Sequence, residues 1–273
     1  LEGTLTLRVR NVEGTITFSG PDIVHELRFP IGLNLEQHLD VQDFRYELGD
    51  AVTLWDEHNP ALYTALASAE VEAGGKKYHA ERTAAFGMRE IATEGTRFAM
   101  NGKAIFLRGT LECCIFPKTG YPPMDVDSWA EIMGKAQACG LNHLRFHSWC
   151  PPEAAFAAAD RLGMMLQIEG PFWSYTISES EALDEYIAAE CDRILQTYGN
   201  HPSFCLMAYG NEPNGKQYRK VLSELVKRWK EQDPRHLYTC ASGWPTDDAN
   251  EFHVTPRPRV HQWGEALKSR FNS

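Results

Sequence analysis

The hydrophobic pattern changes period near residue 86, and that change restricts the fold more than any other feature of the chain. Before it, Leu5, Leu7 and Val9 interleave with Thr4, Thr6 and Arg8. This period of two places one face of a strand in a core. Similar stretches follow at 15–18, 23–29, 51–55 and 62–72, separated by Gly20-Pro21, Gly32, Gly49-Asp50, Asn59-Pro60 and Gly74-Gly75. About seven short strands in about 85 residues predict an immunoglobulin-like β-sandwich over residues 1–85.

After residue 86, short apolar runs alternate with helical patterns. The runs are Ile105–Leu107, Leu141–Phe146, Met164–Ile168, Phe204–Tyr209, Leu237–Ala241 and Val260–Trp263. Three stripes at helical spacing lie between them. Trp129, Ile132, Met133 and Ala136 follow the capping candidates Asp125 and Asp127; Leu183, Ile187, Cys191, Ile194 and Tyr198 form the second; Tyr218, Leu222, Leu225, Val226 and Trp229 form the third. Each stripe reads as core against a sheet. Repeated βα units imply a parallel sheet. A doubly wound sheet wants a glycine-rich turn after its first strand, but the residues after Leu107 are Arg108-Gly109-Thr110-Leu111-Glu112. Polar groups recur instead at strand ends: Glu112, His147, Glu169, Asn211-Glu212, Trp244 and His261-Gln262. A (β/α)8 barrel gathers its site on that face. The predicted architecture is a multidomain β plus α/β chain, a sandwich followed by part of a TIM barrel over residues 86–273.

Composition narrows the function classes. With 43% hydrophobic residues the chain can bury a core. A net charge of −10 argues against a nucleic-acid partner, and no apolar run approaches the roughly 18–20 residues of a membrane span. Seven scattered cysteines suggest packed thiols, not a disulfide framework. His143, His147, Cys150, His201 and His261 lack metal-ligand spacing, so neither a metal nor another cofactor is expected. The chain begins at Leu1 without a signal-peptide pattern, which reads as a processing boundary.

The sharpest chemical signal is Tyr209-Gly210-Asn211-Glu212-Pro213, directly after an apolar run. A carboxylate at a strand end, beside an amide able to hold a hydroxyl, suits glycoside hydrolysis, in which one carboxylic acid protonates the glycosidic oxygen and a second carboxylate attacks or activates water. The triplet alone equally suits a helix start, with Asn211 as cap. Trp149, Trp173, Trp244 and Trp263 follow successive strand ends, where indoles can stack on sugar rings.

The upstream motifs resemble glycoside hydrolase family 2, the β-galactosidases, β-glucuronidases and β-mannosidases. They are Leu54-Trp55 with Asn59-Pro60-Ala61-Leu62-Tyr63, Phe86-Gly87-Met88-Arg89, Phe98-Ala99-Met100-Asn101-Gly102-Lys103 and Leu107-Arg108-Gly109. Gly140-Leu141-Asn142-His143-Leu144-Arg145-Phe146-His147, Asp160-Arg161-Leu162-Gly163-Met164 with Glu169, and Asn200-His201-Pro202-Ser203 before Gly210-Asn211-Glu212 complete the set in the family's order. The resemblance implies that Glu212 is the general acid/base of a retaining mechanism and that Asn211 binds the hydroxyl next to the anomeric carbon. It also implies that Arg145 and His147 help hold the cleaved sugar. Arg145 alternatively pairs inside the barrel with Glu169 or Glu212, and His147 alternatively serves structure alone.

Two stretches depart from the family pattern: Gly109-Thr110-Leu111-Glu112-Cys113-Cys114, where an Asn and a His are usual, and His147-Ser148-Trp149-Cys150-Pro151, where His-Tyr-Pro is usual. Both bear on sugar specificity, and a carboxylate at Glu112 discourages an acidic sugar. The family's nucleophile is a glutamate after the seventh strand, which neither Glu251 nor Glu265 matches. The stretch from Phe86 to Ser273 is also shorter than the about 250 residues of a whole barrel. An internal fragment, inactive alone, is therefore expected. The substrate-binding candidates are Asn211, Arg145, His147, Glu112, Glu169, Trp149, Trp173, Trp244 and His261. An exo-acting β-galactosidase-like enzyme leads; an endo-acting glycanase and a non-catalytic carbohydrate-binding module stay open. Unpaired sheet edges at Ile105–Leu107 and Val260–Trp263 predict association between copies, and the resemblance suggests a periplasmic or secreted bacterial protein.

Overall fold

The computed structural model describes residues 2–9, 13–20, 23–30, 40–47, 52–73, 76–243 and 247–254. The chain divides into two compact units, Leu1–Trp55 with Ala61–Met88, and Asp56–Pro60 with Arg89–Ser273.

The first unit holds six described strands: β1 (Glu2–Val9), β2 (Glu13–Gly20), β3 (Ile23–Pro30), β4 (Asp40–Glu47), β5 (Tyr63–Ala73) and β6 (Lys76–Phe86). β1 pairs antiparallel with β4, and the others form an antiparallel sheet in the order β3-β2-β5-β6. The strand expected at 51–55 is corrected, since residues 52–55 carry none. Their backbone is anchored outside any ladder: Thr53 N–H donates to Tyr63 Oη at 2.8 Å and Trp55 N–H to the Met88 carbonyl at 2.8 Å. Alternation there reflects a buried Trp55, not a pleat.

The second unit opens with an antiparallel meander of β7 (Ile91–Glu94), β8 (Arg97–Met100) and β9 (Lys103–Ile105). Here the expectation that Ile105–Leu107 starts the barrel is overturned. Asn101 and Gly102 take left-handed φ of 53° and 71°, so the chain reverses tightly and Lys103–Ile105 closes the meander. The first parallel strand is β10 (Gly109–Glu112), followed by β11 (His143–Phe146), β12 (Met165–Glu169), β13 (Phe204–Ala208) and β14 (Leu237–Thr239). Gly109 makes the first pairing possible, because a Cβ there would lie 2.6 Å from the His143 ring.

The five strands pair in chain order, β10-β11-β12-β13-β14, all parallel. A doubly wound sheet would show a reversal in that order; this sheet has none, as an arc of a barrel requires. Helices α1 (Val126–Ala138), α2 (Glu153–Leu162), α3 (Glu181–Tyr198) and α4 (Tyr218–Gln232) make the crossovers. Asp125 caps α1 by accepting from Ser128 N–H at 2.8 Å. Trp129, Ile187, Leu222 and Trp229 bury their helical faces against Phe146, Ile168, Met207 and Tyr238 of the strands, each contributing on the order of 2 kcal/mol. α2 is absent from the three sequence stripes because alanines, at 154, 155, 158 and 159, form most of its buried face.

Two polar ties hold the N-terminal end of the sheet. Arg89 donates to the carbonyls of Pro202 (2.9 Å), Phe204 (2.5 Å) and Arg235. His201 sits between Asp160 (2.6 Å) and Glu153 (3.1 Å), which keep its imidazolium favoured despite burial.

His143 behaves oppositely. Burial pushes its pKa down to about 4, and its Nδ1 lies 3.1 Å from the Met165 carbonyl. The unfolded chain therefore binds the extra proton between pH 6.5 and about 4. Stability from the neutral ring is complete above pH 6.5 and is lost as pH falls toward 4, by up to about 3 kcal/mol. Thermal midpoints recorded from pH 7 to 4.5 should fall less steeply in His143→Gln than in the parent; parallel slopes would rule His143 out.

The outer edge of β14 is covered. Residues 251–254 run alongside it, with Glu251 N–H donating to Tyr238 O (2.9 Å) and Gly243 N–H to Val254 O (2.6 Å). Glu251 Oε2 and Asn250 Oδ1 accept from the Tyr238 and Cys240 amides. The expected sixth strand, Val260–Trp263, lies outside the described residues.

Candidate active site

One polar network fills the C-terminal ends of β11, β12 and β13. At its centre is Glu169, the last residue of β12 and 0% exposed. Its Oε1 accepts from Arg145 Nε (2.5 Å), Gln167 Nε2 (3.1 Å) and Ser242 Oγ, and its Oε2 from Ser148 N–H (2.8 Å). Four donors satisfy a carboxylate that burial alone would make costly. The pairing of Arg145 with Glu169 is thus found. Arg145 also reaches outward, donating from Nη2 to Asn211 Oδ1 at 2.7 Å. A guanidinium only donates, so it fixes the amide with its oxygen inward. The amide NH2 is left as the group that can donate to a sugar hydroxyl.

Glycines bring the ends of β12 and β13 together. A Cβ at Gly170 would lie 2.3 Å from Tyr209 O, and one at Gly210 would lie 2.2 Å from the Phe172 ring. Past them the ladder continues: Asn211 N–H donates to Phe172 O and Ser174 N–H to Asn211 O, both at 3.0 Å. Glu212 follows in the left-handed region at φ 51°, its N–H held by Ser242 O at 2.8 Å. Gly243 opposite keeps the side chain's space free, since a Cβ there would lie 2.8 Å from Glu212 Cγ. Glu212 is partly exposed, with Trp173 Nε1 3.3 Å from Oε2. Cys114, Ser148, Ser174 and Glu212, following β10 to β13 in turn, all have φ between 51° and 63°. Such backbone costs on the order of 1 kcal/mol or more per residue and concentrates at functional sites.

The remaining candidates spread out. His147 Nδ1 is 3.0 Å from Ser148 Oγ, and its ring meets Trp173 edge-to-face at 5.6 Å. Trp149 turns inward against Trp129 and Phe146, its indole N–H on the Glu112 carbonyl at 3.3 Å. Glu112, on edge strand β10, accepts from Cys114 N–H at 3.0 Å; burial raises its pKa, and that amide partly offsets the rise. Trp244 and His261 lie outside the described residues. Among the described residues no group of His, Cys, Asp and Glu is placed to hold a metal ion.

Three members of the network went unread in the sequence: Gln167, Ser242 and Ser148. Gln167 had a signal. It is the one polar residue inside the run Met164–Ile168 and lies two before Glu169, hence on the same face of the strand.

Solved structures superpose on most of this chain. A β-glucuronidase of Bacteroides uniformis matches with a TM-score of 0.75 at 18% identity, covering 88% of this chain and 31% of that one. A GH2 β-galacturonidase of Eisenbergiella tayi, bound to galacturonate, matches at 0.70 and 18%, covering 88% and 43%. In fold, the chain is similar to solved glycoside hydrolases of family 2. Curated sequences agree. A Formosa agariphila protein with β-glucuronidase in its name is 29% identical over 205 residues, 71% of this chain and 18% of that protein. The β-galactosidase of Thermoanaerobacterium thermosulfurigenes is 31% identical over 172 residues, 61% and 22%. No family model matches the chain. The chain thus spans about a fifth of the length of these two relatives. No helix among its described residues is long and apolar enough to cross a membrane.

Proposed function

We propose that this chain carries the acid/base half of a retaining exo-β-glycosidase site, β-galactosidase-like, with Glu212 as general acid/base. One observation supports this above the others: a partly exposed carboxylate, held in left-handed backbone at a strand end, follows an asparagine whose amide is fixed by Arg145. In this reading Asn211 faces the cleaved sugar with Arg145 and the buried Glu169 behind it, and His147 and Trp173 line its outer side. Residues 1–85 are read as an immunoglobulin-like sandwich and 86–273 as barrel.

Retention needs a second carboxylate about 5–5.5 Å away that attacks the anomeric carbon. Glu169 is unsuited, because both its oxygens are engaged and it is fully buried. Glu112 lies on β10, three strands from β13. In this reading the described residues supply the acid and no nucleophile, and the purified 273-residue chain should leave aryl β-glycosides intact. The gene product that carries it should cleave them, with proton NMR showing the β anomer first. An α product first would refute retention, and turnover by the chain alone above a Glu212→Gln control would place the nucleophile within it.

A further inference from the structure

Trp173 is exposed and yet firmly held. The residue is 65% exposed, unusual for a tryptophan, but its backbone is not a free loop. It forms a parallel bridge with Asn211, and the pairing continues as Ile177 N–H donates to Asn214 O at 3.0 Å. Phe172 before it is buried where Gly210 leaves room. This ladder sets the indole beside Glu212, with Nε1 3.3 Å from Oε2, and the His147 ring closes against it at an interplanar angle of 87°.

We propose that Trp173 is the positioning residue of Glu212: its indole N–H holds the carboxylate toward the solvent-facing side of the site, where a leaving group would extend. Rotamer freedom is the physical problem it solves. A glutamate on left-handed backbone has three side-chain torsions, and Gly243 clears space on one side without supplying a contact that fixes them. The inner donors, Arg145, Gln167, Ser148 and Ser242, are all directed to Glu169 or Asn211. The Trp173 N–H is the side-chain donor that reaches the Glu212 carboxylate among the described residues. An indole suits the task because it donates one hydrogen bond and accepts none, so it cannot take the acidic proton.

The inference rests on the acid/base reading for its purpose but is tested without catalysis. In the 273-residue chain labelled with nitrogen-15, the Trp173 indole resonance, assigned by its loss in Trp173→Phe, should show a cross-relaxation peak to the Glu212 side chain. Its chemical shift should also move in Glu212→Gln, where an amide replaces the carboxylate that accepts the indole N–H. The other indole resonances, unchanged in both variants, certify the fold. An absent cross peak, or an indole shift unmoved in Glu212→Gln, would overturn the proposal. If the NMR result holds while Glu212 proves dispensable for hydrolysis, the acid/base reading fails and the contact stands.

Discussion

Glu212→Ala, made in the gene product that carries this chain, is expected to slow cleavage of unactivated β-glycosides by about 10²–10⁴-fold. The size follows from what an acid does. An alkoxide leaving group needs a proton as the glycosidic bond breaks, and in the proposed reading the partly exposed carboxyl of Glu212 gives it. Dinitrophenolate leaves without help, so glycosylation by dinitrophenyl glycosides should keep nearly its full rate. The second step then becomes limiting, because the same carboxylate must activate water. Azide needs no base and fits the space the side chain vacates. It should restore turnover and give a β-glycosyl azide of retained configuration. Equal losses on good and poor leaving groups, without an azide product, would remove Glu212 from this role. Glu169→Ala is the instructive contrast: that carboxylate is enclosed by four donors, so its loss should show no azide rescue at all.

How much of this could be read in advance depended on the physics behind each signal. Period-two and helical patterns located β1, β2, β3, β5 and three of the four helices, because burial of one face writes a periodicity into the chain. α2 escaped because alanines pack it closely without the large apolar residues that mark a stripe. Ile105–Leu107 misled for a different reason: an apolar triplet is equally good as a meander end or a barrel strand, and only the Asn101-Gly102 turn decides. The Asn211-Glu212 pair stood out because glycoside hydrolysis asks for particular side chains at a strand end, and the structure places both residues just past the end of β13. Ser242 did not stand out. Its hydroxyl matters through a contact to Glu169 across 73 residues of sequence, and no local pattern encodes that. Trp149 shows the limit of reading aromatics by position alone, since one rim tryptophan turned into the core and another, Trp173, stayed out.

Arg145→Met should destabilise the second unit by about 3–5 kcal/mol. The arginine side chain is 12% exposed and its partner carboxylate 0%. Methionine fills much of the volume but leaves Glu169 charged, buried and without its counter-ion. Three neutral donors remain, from Gln167, Ser242 and Ser148, and hydrogen bonds alone do not replace a guanidinium in a low-dielectric setting. For a unit of this size the loss corresponds to roughly 10 °C in thermal midpoint. Arg145→Lys should recover only part, because one ammonium cannot span both Glu169 Oε1 and Asn211 Oδ1 as the fork does. The double variant Arg145→Met/Glu169→Met decides between lost packing and a stranded charge. If the charge is responsible, removing it as well should return most of the stability, while Asn211, no longer oriented, should leave sugar binding impaired. A single variant within about 1 kcal/mol of the parent, where exposed pairs ordinarily fall, would mean that the network does not hold the site together.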